Sequence, residues 1–404
     1  MSNQFLQKLH LKSFLSFGPD SAPAELTPLN VLIGPNAVGK SNFIEAIELL
    51  RAAPTDFSEQ IRLGGSAGEW LWKGATPPKP ASIEAQLSPS GGLTPGRLRY
   101  LIAFAETRNR LEIVDEVLEE TSRRKPDDDD VFFYYRFRGG HPVMYVREAG
   151  PDGSIRRPVE RRLRRESLDP QQSVLSQRKD PDAYPELTRL AEQLKLVRIF
   201  REWSFGRTAP LRRAQPADLP SDSLLPTSIN LGLVLNGLEH KDCWSHLEEL
   251  MRRFLPRFKR VSTKIQGNAV QIYLHEEGLS TPVPATRLSD GTLRFLALLA
   301  ILVDAESVPL ICIEEPELGL HPDALAVIAE LLVEAKSKTQ IVVTTHSDVL
   351  VSALTEEADS VLVCDYLGNG TEFRRLEPAR LKHWLEQYRL GEIWRLGKLG
   401  GNLW

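Results

Sequence analysis

One glycine-rich segment constrains the fold of this chain more than any other feature. Residues 34–41 read GPNAVGKS and fit the pattern GxxxxGK[ST]; an apolar run at 28–33 precedes them and an apolar-periodic stretch follows. This order predicts a buried strand, a tight turn and a helix. Glycines in such a turn let backbone N–H groups face phosphates at the positive end of a helix dipole. The segment therefore predicts a phosphate-binding loop in an α/β fold.

The residues of this loop have separate expected roles. We expect Lys40 to reach the β- and γ-phosphates and the Ser41 hydroxyl to bind Mg²⁺. A chance glycine turn is disfavoured because strand, loop and helix signals agree. The loop backbone expected to enclose the phosphates comprises Gly34, Pro35, Asn36, Ala37, Val38 and Gly39.

A second motif is an apolar run, residues 309–313, that ends in Glu314 and Glu315. A buried strand that delivers two carboxylates suits one group that supports a metal and one that orients or deprotonates an attacking water. We assign these roles to Glu314 and Glu315 respectively. Glu314 stands where most P-loop proteins place aspartate. The alternative is a strand that simply ends in solvated acids.

Two weaker motifs flank this strand. The segment RLSDGT, with Ser289 and Gly291, precedes an apolar helix and offers a second anion-binding helix start, although an ordinary helix cap has the same sequence. The segment QIVVTTHS places His346 at the end of another buried strand. We expect that end beside the nucleotide, at the carboxyl edge of the sheet. A purely structural histidine is the alternative.

The composition is that of an ordinary soluble globular protein, and 404 residues suggest two or three domains. No apolar run approaches a membrane span, and the N-terminus lacks a signal-peptide pattern. The three cysteines are too far apart for a zinc site or a disulfide framework. We therefore expect a cytoplasmic protein that does not contact membranes.

The chain divides by composition into four parts. Short β-like runs between residues 83 and 146 predict an antiparallel sheet, so residues 1–149 form the first half of a head with a β lobe. Residues 150–226 predict a basic, partly helical surface insertion with a helix over 184–203. Strand and helix patterns alternate again in 227–376. Residues 377–404 form a C-terminal helix and tail, which packs on its own head or docks a partner.

The insertion carries a local excess of positive charge. Between residues 139 and 214 there are 16 lysines and arginines against 10 aspartates and glutamates. Such a run contacts the phosphates of DNA or RNA, or is a solvated face balanced by acids such as the aspartates at 127–130. Those aspartates predict an acidic turn rather than a nuclease centre. The arginines concerned are Arg156, Arg157, Arg161, Arg162, Arg164 and Arg165.

The chain resembles the ABC-type ATPase heads of the SMC and RecF group, and in particular the small predicted ATPases allied to the OLD proteins. The resemblance rests on four motifs in this order: GPNAVGKSN, LSDGT, ICIEEPELGLHP and TTHS. The resemblance covers about residues 5–51 and 286–363. It implies a P-loop NTPase of ABC/RecF type with an antiparallel β lobe and an inserted, partly helical subdomain. It also implies a homodimer in which two heads enclose two ATP molecules.

The resemblance extends to single residues. It implies that Glu315 is the catalytic base, that His346 senses the γ-phosphate and that Ser289 and Gly291 act on the ATP of the partner head. Residues 317–320 would match the D-loop, which crosses the dimer interface. The signature reads LSDGT rather than LSGGQ, and the Q-loop glutamine is open between Gln60 and Gln86.

Two further departures shape the functional prediction. No long coiled-coil arms interrupt the head, and only 57 residues follow Ser347, too few for the TOPRIM nuclease domain of the OLD nucleases. We therefore expect a slow Mg-ATP-dependent dimerising ATPase, a switch or sensor in prokaryotic DNA repair or anti-phage defence, acting with a separate effector such as a nuclease. The alternatives are a non-hydrolysing ATP-dependent scaffold and the ATPase subunit of a transporter.

Overall fold

The computed structural model describes residues 4–88, 97–124, 130–138, 140–147, 158–305 and 308–401. The strands in these ranges are β1 (Leu6–Lys12), β2 (Ala24–Glu25), β3 (Leu29–Ile33), β4 (Ala81–Leu87), β5 (Leu98–Thr107), β6 (Arg110–Glu120), β7 (Phe133–Arg138), β8 (His141–Val146), β9 (Val159–Arg162), β10 (Arg198–Phe200), β11 (Gln215–Pro216), β12 (Phe258–Gln266), β13 (Ala269–Glu276), β14 (Val283–Pro284), β15 (Leu310–Glu314), β16 (Gln340–Thr344), β17 (Val361–Tyr366) and β18 (Thr371–Arg375). The α-helices are α1 (Lys40–Ala52), α2 (Phe57–Leu63), α3 (Val174–Gln177), α4 (Pro185–Leu196), α5 (Leu231–Leu238), α6 (Trp244–Phe254), α7 (Asp290–Leu302), α8 (Pro322–Ala335), α9 (Asp348–Ala353), α10 (Pro378–Leu385) and α11 (Leu390–Arg395).

A six-stranded sheet in the order β10-β15-β16-β3-β17-β18 carries the motif-bearing strands. The pairs from β10 to β17 are parallel, and β18 closes the sheet antiparallel to β17. The carboxyl ends of parallel strands meet at one edge of a sheet. That edge therefore gathers the loops that follow β3, β15 and β16, as the sequence predicts.

Both faces of this sheet are buried, which explains its continuous apolar runs. Val31 and Ile313 point into the apolar core that contains α7 and α8, whereas Leu32 and Cys312 point into the core that contains α1. Helix α7 is buried along its whole length from residue 292 to 302. A mostly apolar helix that is buried on all sides is stable only inside a core.

The predicted antiparallel sheet is confirmed as an eight-stranded lobe in the order β2-β1-β4-β5-β6-β7-β8-β9. Strand β4 alternates buried and half-buried residues, which is the pattern of a sheet with one face in the core. Strand β1 lies between β2 and β4 and pairs antiparallel with both. A smaller sheet of β11, β13, β12 and β14 lies beside α5.

The segment 150–226 contributes to both large sheets. Strand β9 extends the β lobe, α4 packs against α1, and β10 forms the edge of the core sheet beside β15. The predicted helix over 184–203 was wrong at its C-terminal end, because α4 ends at Leu196 and the next residues, 198–200, pair with β15 as a strand.

The predicted C-terminal helix forms and packs on the head. Helix α10 ends at Leu385, so Tyr388 lies beyond it, while Leu381, Trp384 and Leu385 pack against the core of the head. Helix α11 packs against α9. Among the residues that the structure describes, none of the helices has both the length and the apolar character needed to cross a bilayer.

Candidate nucleotide site

The loop between β3 and α1 has the backbone that its glycines predict. Gly34 and Gly39 have φ values of 151° and 109°, in the region that favours glycine. A Cβ atom at Gly34 would lie 2.4 Å from the carbonyl oxygen of Cys364, and one at Gly39 would lie 2.4 Å from the Thr371 hydroxyl. Both positions therefore exclude any side chain.

Lys40 begins α1 and turns its side chain into the loop. Its Nζ donates to the carbonyl oxygens of Gly34 at 2.8 Å and Pro35 at 2.7 Å. Burial lowers the pKa of Lys40, and the negative groups around it, including Glu315, oppose that shift. The ammonium group thus lies among the backbone groups that are expected to enclose phosphates.

Two hydroxyl residues brace the loop from outside, and the sequence did not single them out. The Thr371 hydroxyl, at the start of β18, donates to the carbonyl oxygen of Val38 at 2.7 Å and contacts the Ser16 hydroxyl at 2.7 Å. Asn42 also donates to Ser16, at 2.8 Å. Ser16 and Thr371 are distant from the loop in sequence, so no local pattern predicts that their hydroxyls contact it.

Glu314 ends β15 directly across from the start of α1. The Ser41 hydroxyl donates to one oxygen of its carboxylate, and Arg201 donates to the other from Nε at 2.9 Å. The indole of Trp203 donates to its backbone carbonyl at 2.8 Å. Hydroxyl and carboxylate oxygens are the ligands that Mg²⁺ prefers, so Ser41 and Glu314 fit a magnesium ion held together with nucleotide phosphates.

Glu315 and His346 approach each other at the same sheet edge. Glu315 has a φ of 47°, rare for a residue with a side chain, and its N–H donates to the carbonyl oxygen of Thr344. Its Oε1 lies 3.6 Å from His346 Nε2. Burial, aided by the charge of Lys40, lowers the pKa of His346, which favours the neutral imidazole.

The turn after Glu315 contacts the strand end that carries His346. The Glu317 carboxylate accepts the backbone N–H of His346 at 2.8 Å and the Thr345 hydroxyl at 2.7 Å. The structure thus gathers Lys40, Ser41, Glu314, Glu315 and His346 at one edge. Their catalytic and metal-binding roles remain predictions.

The signature segment lies against residues 317–320. Ser289 caps α7, and its hydroxyl accepts the N–H of Thr292 at 3.0 Å. A Cβ atom at Gly291 would lie 2.8 Å from the carbonyl oxygen of Gly319. Ser289 thus acts as an ordinary helix cap here, and the role of Ser289 and Gly291 towards a partner's ATP stays a prediction.

Two buried arginines hold this region, and neither was predicted. Arg212 pairs with Asp290 and donates to the carbonyl oxygen of Leu288 at 2.6 Å. Arg294 donates to the carbonyl oxygen of Leu318 and lies 5.0 Å from the ring centroid of Trp203. Burial lowers the pKa of Arg294 to about 10.

The other candidates lie elsewhere. Arg165 pairs with Glu112 at 2.8 Å, and Asp130 pairs with Arg136. Gln60 lines a cavity together with Glu314, whereas Gln86 lies in β4 of the β lobe. Arg161, Arg162 and Arg164 of the arginine run are exposed. Five residues of interest lie outside the described residues, together with the last tryptophan, Trp404: Arg156, Arg157, Asp127, Asp128 and Asp129.

The strand, loop and helix order defines a P-loop NTPase head with the fold of the SMC heads. The chain belongs to the family AAA_21, described as "AAA domain, putative AbiEii toxin, Type IV TA system", whose profile matches residues 29–352. No curated protein matches the chain in sequence.

Solved structures show the same fold. An SMC head bound to the C-terminal winged-helix domain of ScpA is 15% identical, with a TM-score of 0.52, over 93% of this chain and 99% of that one. An SMC head with an extended coiled coil, bound to the C-terminal domain of ScpA from Pyrococcus furiosus, is 14% identical, with a TM-score of 0.51, over 95% and 99%.

Proposed function

We propose that this protein is a slow Mg-ATP-dependent ATPase that dimerises through two shared ATP molecules and works as a switch or sensor. One observation carries the proposal: Ser41 contacts Glu314, and Lys40, Glu315 and His346 gather at the same sheet edge. Phosphoryl transfer needs this combination of positioning and electrostatic stabilisation.

In this proposal each group has one task. Lys40 leaves its own loop carbonyls to contact the phosphates, and Ser41 and Glu314 hold the magnesium ion, which neutralises phosphate charge when bound with ATP. Glu315 orients or deprotonates the attacking water, since its carboxylate lies at the sheet edge 3.6 Å from His346, whose lowered pKa favours the neutral imidazole.

The setting of the switch is proposed from the relatives. The family description names a toxin–antitoxin system, which supports a role in prokaryotic anti-phage defence or DNA repair. The two SMC heads are bound to domains of ScpA, which supports a separate effector protein, such as a nuclease, for this head. Exposed Arg161 and Arg162 in β9, together with exposed Arg164 just after it, offer a surface for nucleic acid phosphates.

The test compares ATP turnover by the wild type, Glu315→Gln and a control, Glu356→Gln. Glu356 is an exposed acid after α9, so its loss should leave turnover unchanged. Glu315→Gln should lower turnover at least 100-fold, the scale of one general base. Light scattering should show that ATP and Mg²⁺ hold this variant as a dimer.

Duplex DNA is added as a separate arm of the same experiment. Stimulated turnover would support the DNA-linked form of the switch. Wild-type protein that neither hydrolyses ATP nor changes size with it would contradict the proposed function. Equal turnover by Glu315→Gln and the wild type would contradict the assignment of the base.

A further inference from the structure

Arg201 lies at the centre of three carboxylates. It follows β10 directly, and its three nitrogens donate to different acids: Nε to Glu314 at 2.9 Å, Nη2 to Glu45 at 2.9 Å and Nη1 to Glu48 at 3.2 Å. Glu45 and Glu48 lie one turn apart on α1 and therefore face the same side. All four side chains are largely withdrawn from solvent, with exposed fractions of 14–26%.

This arrangement has an electrostatic consequence. Three carboxylates that share one half-buried site repel one another unless a cation lies between them. Burial alone would lower the pKa of Arg201, and its hydrogen bonds to Glu314 and Glu45 more than offset burial and raise it. A guanidinium stays charged at every working pH, so the counter-charge is permanent.

The acids remain reachable from outside. A cavity of about 690 Å³ is lined by Glu45, Glu48, Arg51, Arg201 and Glu314. A hydrated divalent ion has room to enter. The Glu314 carboxylate accepts hydrogen bonds from both Arg201 and Ser41. Because Ser41 and Glu314 are the residues expected to hold magnesium, Arg201 and the metal ion would bind the same carboxylate.

We propose that Arg201 is an internal counter-cation that keeps divalent metal out of the Glu45, Glu48 and Glu314 cluster until a nucleotide brings its own phosphates. The proposal rests on the proposed function, because it regulates the same metal site. It makes metal binding conditional on nucleotide: Arg201 cancels one of the three negative charges and engages an oxygen of each carboxylate, and ATP supplies the negative charge that is then lacking.

The test measures Mn²⁺ binding to the nucleotide-free full chain by electron paramagnetic resonance. Arg201→Gln should bind Mn²⁺ about tenfold more tightly than the wild type, since a full positive charge a few ångströms from the metal is lost. Arg51→Gln is the matched control: it removes an arginine of the same cavity that pairs with Glu48 at 3.3 Å. Its Mn²⁺ affinity should change less than threefold.

A triple variant locates the metal. Adding Glu45→Gln and Glu48→Gln to Arg201→Gln should return Mn²⁺ binding to the wild-type value. If the gain survives in the triple variant, or if Arg51→Gln gains as much as Arg201→Gln, the proposal is overturned.

Folding and function are checked separately. Thermal unfolding reports whether each variant folds, and Arg201→Met, which also removes the charge but keeps an apolar stem of similar length, replaces Arg201→Gln if that variant is unfolded. Unchanged Mn²⁺ affinity in the variant that folds overturns the proposal. Wild-type ATP turnover is measured in parallel. If the wild type does not hydrolyse ATP, the proposed function is contradicted, whereas the Mn²⁺ affinities of the nucleotide-free wild type and variants can still be compared.

Discussion

Replacing Arg212 by alanine should reveal how strongly one buried side chain holds the signature segment. Only 4% of Arg212 is exposed. Besides its ion pair with Asp290, its guanidinium donates to four backbone carbonyl oxygens from two separate segments. These belong to Phe205 at 2.7 Å, Gly206 at 3.1 Å, Leu288 at 2.6 Å and Ala285 at 3.2 Å.

The expected loss follows from these contacts. A buried acceptor that loses its donor costs about 1 kcal/mol or more, so four carbonyls give a loss of about 3–4 kcal/mol in the free energy of unfolding. Asp290 adds little, because its side chain is 62% exposed and water replaces the arginine there.

The assay is urea unfolding followed by far-ultraviolet circular dichroism. The neighbouring Arg213 is exposed, so Arg213→Ala serves as the control and should change the free energy of unfolding by about 0.5 kcal/mol or less. A loss below about 1 kcal/mol in Arg212→Ala would refute the assignment of Arg212 as the anchor of this segment. ATP-linked dimerisation should weaken in Arg212→Ala while ATP binding persists, since the anchor touches the signature segment and not the phosphate loop.

Two further predictions concern the loop and the β lobe. Gly34→Ala should weaken binding of a fluorescent ATP analogue at least tenfold, because its Cβ atom would lie 2.4 Å from the Cys364 carbonyl oxygen. The control is Gly278→Ala, which also lies at positive φ but has open space around it, and this variant should bind the analogue normally. Burial raises the pKa of Glu116 from 4.5 to about 7, so the folded state holds a proton that the unfolded state releases. Stability should therefore fall by about 3 kcal/mol as pH rises from 4.5 to about 7, and Glu116→Gln should flatten this dependence in urea unfolding; an equally steep slope in the variant would contradict the assignment.

The sequence was informative where one short segment determines a structure. The apolar runs of β3, β15 and β16 predict strands buried on both faces, and the polar residues that follow them are predicted to share an edge because parallel strands end together. The φ of 151° at Gly34 likewise follows from a local pattern. These features depend on neighbours in the chain, so one sequence suffices to find them.

The features that escaped prediction depend on contacts between distant segments. Strand β10 is only three residues long, and its pairing with β15, more than a hundred residues later, decides that the chain there is extended rather than helical. Arg201, Arg212 and Arg294 are ordinary arginines in sequence. Their partners are backbone carbonyls and acids from other segments, which only the folded chain brings together.

All of these unpredicted features except Arg294 lie in one stretch of chain, residues 198–213, which contacts both the metal-supporting strand and the signature segment. Arg201 and Trp203 hold the carboxylate and the carbonyl of Glu314, whereas Arg212, nine residues further on, holds Asp290 of the signature segment. Arg294 of α7, the helix that follows the signature segment, lies over the ring of Trp203 and so links that helix to the part of the stretch that contacts Glu314. A guanidinium group that leaves buried acceptors costs several hydrogen bonds. A movement of Glu314 should therefore displace the whole stretch, which carries the movement to the signature segment, and the reverse holds for a movement of Asp290. The strand that is expected to support the metal and the segment that is expected to face a partner head are therefore mechanically connected within one chain, whatever the trigger that moves them.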